Sequence, residues 1–142
     1  MKILLPIDGS PSSSRAVRHV ARHWAEQKGA RSASLVLVHV DLVLPERVAR
    51  YLAAADIARF HEENAKRALA PARRILRAMD MPHEEKHEIG DPATVIIDLA
   101  SKIRCDMVAM GSHGHGALMS FVLGSVVMKV LSHSKAPVLV VR

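Results

Sequence analysis

Met107-Val-Ala-Met-Gly111-Ser-His-Gly114-His-Gly-Ala-Leu-Met-Ser-Phe-Val-Leu-Gly124-Ser125-Val126-Val-Met-Lys-Val-Leu131 is the stretch on which the reading of this chain turns. Its first four residues form a short apolar run sized for a buried strand, and Val126 to Leu131 repeats at helical spacing. Between them lies a loop in which Gly111 and Gly114 precede Gly124 and Ser125. A strand that runs into a glycine loop and then a helix gathers bare backbone N–H groups and a positive helix terminus at one point, which is a place for phosphate. Glycine lets backbone approach an anion closely, and Ser125 is placed to cap the helix while donating to that anion.

Working back from this stretch, strand and helix alternate throughout. Lys2-Ile-Leu-Leu-Pro-Ile-Asp8 is an apolar run closed by a carboxylate, with Pro6 expected near the strand's end because it cannot donate to a ladder. Ser10 reads as a helix N-cap and Pro11 as the first helical residue. The helix then runs to about Lys28 on an apolar stripe of Ala16, Val17, Val20, Ala21 and Trp24, and Gly29 ends it. Ser34 to Val40 is apolar almost throughout, as a parallel strand covered on both faces should be. A long helical region from about Arg47 to Met79, broken near Tyr51 to Asp56, carries Ile57, Phe60, Ala68, Leu69, Ala72, Ile75 and Leu76 on a helical repeat. Pro82 ends it. His83 to Ile89 is a more polar strand, expected at a sheet edge. Asp91 and Pro92 cap and open the next helix, whose inner face is Val95, Ile96, Leu99 and Ile103. Ala136-Pro-Val-Leu-Val-Val141 closes the chain as a fifth strand.

Such alternation implies a single doubly wound α/β domain over 1–142, with a five-stranded parallel sheet in the order 3-2-1-4-5 and four helices on its two faces. The ligand crevice of an open α/β sheet lies outside the carboxyl ends of the strands, where the winding reverses. The first and fourth strands are the neighbours there, so Asp8 and the glycine loop should face each other across one cleft.

Composition narrows the function classes. A hydrophobic fraction of 49% with 24% charged residues is that of a folded globule, and the apolar runs are too short to span a membrane. Asp8 interrupts the N-terminal apolar run too early for a signal peptide, so the mature chain is expected to begin here. Cys105 is the only cysteine, which suits a reducing compartment and a cytoplasmic protein. The net charge is +6, and ten of the twenty lysines and arginines fall in two sets, Arg15, Arg18, Arg22, Lys28 and Arg31, then Lys66, Arg67, Arg73, Arg74 and Arg77, each read as the solvated face of a helix. With aromatics at 3% no stacking platform exists for single strands, and specific nucleic-acid binding is not expected.

The spacing Gly111-x-x-Gly114, nine residues, then Gly124-Ser125 resembles the nucleotide-binding signature of the universal stress protein family, in its ATP-binding branch. The resemblance extends to Ile3-Leu-Leu-Pro-Ile-Asp-Gly-Ser10, Leu37-Val-His-Val40, Gly90-Asp-Pro-Ala93 and Pro137-Val-Leu-Val-Val141, in family order. It implies that Pro6, Ile7 and Asp8 line the adenine and ribose side, with the aspartate near ribose, and that Val40 packs against the base. It further implies that Met110 and Gly111 close the pocket while Gly114, Gly124, Ser125 and Val126 surround the triphosphate. The implied ligand is ATP, with ADP or AMP as alternatives, and Mg2+ carried mainly by the phosphates. Val127 departs from relatives that place a hydroxyl there.

No catalytic residue and no protein metal site is assigned. The motif has neither an arginine nor a Walker-type lysine, the groups that phosphoryl transfer ordinarily needs. Asp8 alone could equally order the turn before the first helix, and His113 and His115 read as a solvated pair rather than metal ligands. Lys129 is expected to lie along its helix. The resulting expectation is an ATP-binding regulatory or stress-response module with slow or absent hydrolysis. A slow ATPase or nucleotide-dependent transferase and a nucleotide-independent dimeric scaffold are the alternatives. The apolar edge strand Val138 to Val141 is expected to pair with its copy in a homodimer, as relatives in this family commonly do.

Overall fold

The computed structural model describes residues 1–25, 33–114 and 123–142. The elements are β1 (Lys2–Pro6), α1 (Pro11–Ala25), β2 (Ser34–Asp41), α2 (Glu46–Ala49), α3 (Ala54–Ala78), β3 (His83–Ile89), α4 (Pro92–Lys102), β4 (Met107–Gly111), α5 (Ser125–His133) and β5 (Val138–Val141). All strand pairs are parallel, and the sheet order is β3-β2-β1-β4-β5. The order read from the sequence is therefore the observed one.

Period-two alternation sends successive residues of each strand into opposite layers. Ile3 and Leu5 of β1 join Leu35 and Leu37 of β2 beneath α1 and α3, where Val17, Val20, Leu69, Ala72 and Leu76 complete one core. Leu4, Val36, Val38 and Val108 face the other way, onto Ala93, Ile96 and Leu99 of α4 and Val127 and Val130 of α5. Each such side chain contributes roughly 1.5–3 kcal/mol on full burial, so both helical layers are held mainly by the central strands.

Ser10 caps α1, its Oγ accepting from the Ser13 amide at 3.1 Å. Asp91 caps α4 in the same way, accepting from the Thr94 amide at 3.0 Å. The residues Lys28, Gly29 and Arg31 at the expected end of α1 lie outside the described residues.

The described residues form five helices where four were expected. The region from Arg47 divides into α2 and α3, with the interruption at Arg50–Ala53 overlapping the break expected near Tyr51 to Asp56, of which Ala54–Asp56 are already helical. The reason is a missing layer. α2 buries no residue, and Val48, Tyr51 and Leu52 stay exposed, whereas α3 must turn to lay His61, Ala65, Ala68 and Leu69 against the sheet.

Candidate functional site

At the carboxyl ends of β1, β2 and β4 the chain forms a cleft of about 600 Å³. Pro6, Ile7, Asp8, Val40, Met110, Gly111, Gly114, Gly124, Ser125 and Val126 all line it. The ten positions expected to form a site thus come from four separate segments to one place. β1 and β4 pair directly, as Ile3 with Met107 and Leu4 with Val108, which puts Asp8 opposite the loop that leaves β4.

Asp8 does what its position before a helix allows and also faces the cleft. Its Oδ1 accepts from the Ser10 amide at 2.9 Å, ordering the turn. Its Oδ2 lies toward Gly114, where a Cβ would come within 2.8 Å of it. The loop approaches the carboxylate so closely that a side chain at 114 would displace one or the other.

The α5 terminus differs from the expectation in one respect. Gly124, not Ser125, is the N-cap residue, and Ser125 is the first residue of the helix. Glycine has no side chain to accept from the first-turn amides, and no side-chain cap bond is present. No side chain among the described residues caps the positive end of this nine-residue helix, which stands on the cleft wall. The terminus is nonetheless fixed, because the Gly124 amide donates to the Ser112 carbonyl at 2.9 Å. The His113 amide in turn donates to Ser12 Oγ of α1 at 3.3 Å, which ties the loop to the opposite wall.

His113 is not the solvated side chain expected of it. Its Nδ1 lies 2.8 Å from Ser112 Oγ, and its Nε2 is buried without a hydrogen-bond partner among the described residues. His115, the other member of the pair, lies outside the described residues. Lys129 does not lie along its own helix as expected: its Nζ stands 3.8 Å from exposed Asp91, the cap of α4. Val127 is buried in the core beneath the cleft, so its methyls serve packing.

The far wall adds residues to which the sequence reading gave no role. His39 donates from Nδ1 to the Ile7 carbonyl at 2.9 Å, which fixes the ring beside Val40. Pro92 and Ile96 of α4 supply further apolar lining, as does Leu42. Asp41, at the end of β2, accepts from His61 Nδ1 at 2.7 Å and from Asn64 at 2.8 Å. Burial pushes the Asp41 carboxyl up, but the Asn64 and His61 hydrogen bonds outweigh it and hold the group below its ordinary range. One end of the cleft is therefore largely apolar, and the other presents backbone amides and a hydroxyl.

The profile of the universal stress protein family matches residues 1–142. The chain belongs to the universal stress protein family. A universal stress protein of Thermus aquaticus is 35% identical over 99% of this chain and 97% of its own length. Among solved structures, that of MJ0577 of Methanocaldococcus jannaschii superposes with a TM-score of 0.80 at 28% identity, covering 99% of this chain and 94% of that one. A universal stress protein crystallised in complex with cAMP gives a TM-score of 0.72 at 26% identity, covering 100% and 97%. The family fold thus accounts for the observed sheet order. No helix among the described residues of this universal stress protein is long and apolar enough to cross a membrane.

Proposed function

We propose that the cleft holds an adenine nucleotide and that the protein is a nucleotide-dependent regulatory module of the stress-response type. The observation that carries this reading is the uncapped α5 terminus facing Asp8 across a cleft whose far wall is apolar. Phosphates belong at the Gly114, Gly124, Ser125 and Val126 end, where each amide bond to a charged acceptor contributes about 1.5–3 kcal/mol. The ribose lies near Asp8, and the base packs between Pro6, Ile7 and Val40, with Met110 and Gly111 closing the pocket. The resemblance favours ATP, with Mg2+ on its phosphates and ADP or AMP as alternatives. The relative crystallised with cAMP supports the nucleotide class.

Binding is favoured over turnover by the lining itself. No lysine or arginine is among the described residues of the cleft, and the sequence from 115 to 122 contains none. A phosphoryl group in flight would lack the lysine or arginine that ordinarily assists the metal in stabilising it, so hydrolysis is slow or absent. The lone cysteine fits a cytoplasmic setting. The β5 edge joins two copies in a homodimer, and nucleotide occupancy acts through this assembly or its surface.

Isothermal titration of the purified chain with ATP and Mg2+ tests the central claim, with native mass spectrometry identifying any nucleotide that co-purifies. Saturable heat and an adenine nucleotide mass are expected. Absence of both would return the glycine loop to a purely structural role, and rapid loss of ATP in a single-turnover assay would make the protein an enzyme.

A further inference from the structure

On α3, Arg59, Lys66 and Arg73 have carboxylate partners, whereas Arg67, Arg74 and Arg77 have no ion pair among the described residues. Arg59 pairs with Asp56, Lys66 with Glu62, and Arg73 holds Glu85 through two bonds of 2.6 Å. α1 is different: Pro11–Ala25 contains no acidic residue, and its Arg15, Arg18 and Arg22 are exposed, with no ion pair or hydrogen bond to a described residue. These three arginines line a groove of about 390 Å³ together with His19, His23, Val141 and Arg142, and no aspartate or glutamate side chain among the described residues lines it. Like charges gathered without counterions repel one another and raise the local potential, and a bound polyanion relieves both effects.

We infer that this groove binds the phosphodiester backbone of nucleic acid, without reading base sequence, at a place separate from the nucleotide cleft. Arg15 and Arg22 stand two helical turns apart, roughly 10 Å along the axis. A nucleic-acid strand presents a phosphate about every 3.4 Å of helix axis, so the arginine row lies beside about three phosphates. The guanidinium fork fits phosphate oxygens in pairs. An anionic membrane fits the surface less well. A helix that lies on a bilayer inserts its apolar face, but Ala16, Val17, Val20 and Ala21 are already in the core, and no exposed large apolar side chain belongs to α1. A large stacking platform is likewise missing, since Trp24, the one Phe, Tyr or Trp of α1, packs against the core. The groove and the cleft share no lining residue, so this inference does not rest on the nucleotide reading.

Fluorescence anisotropy with labelled mixed-sequence single strands and duplexes tests it across a salt series, with phosphatidylserine vesicles and inorganic polyphosphate in parallel. Four arginines give a single-strand salt slope near −3, which is roughly a fiftyfold loss of affinity between 50 and 200 mM salt. Arg15→Gln/Arg18→Gln/Arg22→Gln should weaken binding at least about tenfold and flatten the slope by about 2. Arg18→Gln alone should remove about a third of that change. Circular dichroism and the ATP titration should be unchanged in both variants, because these side chains touch neither core nor cleft. Undiminished affinity in the triple variant overturns the assignment, as does preference for the vesicles. Binding of polyphosphate but of neither nucleic acid would transfer the groove to another phosphate polymer.

Discussion

A Cβ placed on Gly111 would stand 2.5 Å from the carbonyl carbon and Oγ of Ser12, whereas one on Gly124 would meet nothing among the described residues nearer than 3.6 Å. Gly111 is thus required by the packing of α1 against the end of β4. Gly124 has φ −62° and ψ 153°, a backbone conformation open to other residues, so neither sterics nor backbone demands glycine there. In the proposed reading, a phosphate close to this backbone accounts for the glycine. Gly111→Ala should therefore cost about 1–3 kcal/mol of stability through overpacking, read as a lower melting temperature. Gly124→Ala should melt within about 0.5 kcal/mol of the parent but lose about tenfold in ATP affinity, equivalent to about 1.4 kcal/mol. Equal ATP binding by the Gly124 variant in calorimetry would remove this backbone from the phosphate site.

The elements around the cleft owe their placement to a polar anchor as well as to the core. Asp41 ends β2 and draws His61 and Asn64 of α3 onto it, with His61 only 2% exposed. Because the folded carboxyl is held below its ordinary value, the bonds contribute stability above the unfolded pKa of about 3.9, and that contribution is lost as pH falls through the lower folded value. Asp41→Asn should lose roughly 1–3 kcal/mol at neutral pH, with the gap from the parent closing below about pH 4. A gap independent of pH in chemical denaturation would assign the loss to packing instead. This anchor was not legible in the sequence: one histidine on an amphipathic helix looks like any other, and only the fold brings His61 to Asp41. The strands were legible because residues covered on both faces must be continuously apolar, as in Leu35 to Val38. The cleft positions were legible through the glycine spacing and the family resemblance it belongs to, but the enclosure of His113 Nε2 was not, since the ring's setting depends on loop bonds to Ser12 and Ser112 that no local pattern announces.

At the scale of the whole molecule, the two sheet edges are built unequally. β3 carries Glu84, Glu85, Lys86 and Glu88, and charges along an edge resist pairing with another chain. β5 is Val138-Leu-Val-Val141, without a charge, at the opposite edge. The Val108 amide donates to the Pro137 carbonyl and the Ser112 amide to the Val141 carbonyl, both at 2.9 Å, so residues 137 and 141 face β4. By strand alternation Val138 and Val140 direct their backbone groups outward, where a second β5 could pair antiparallel across a two-fold axis. A charged substitution is a poor probe of this pairing, because Leu139 packs on one core cluster and Val138 and Val140 on the other. Val140→Pro is cleaner: it deletes an outward N–H on an edge strand, where proline is tolerated, and leaves the β4 ladder in place. Light scattering should give a dimer for the parent chain and a monomer for Val140→Pro, with unchanged helical circular dichroism. A parent that runs as a monomer would end the dimer reading. A variant that stays dimeric would move the interface to another surface, such as exposed Leu42, Val43 and Tyr51 beside the cleft.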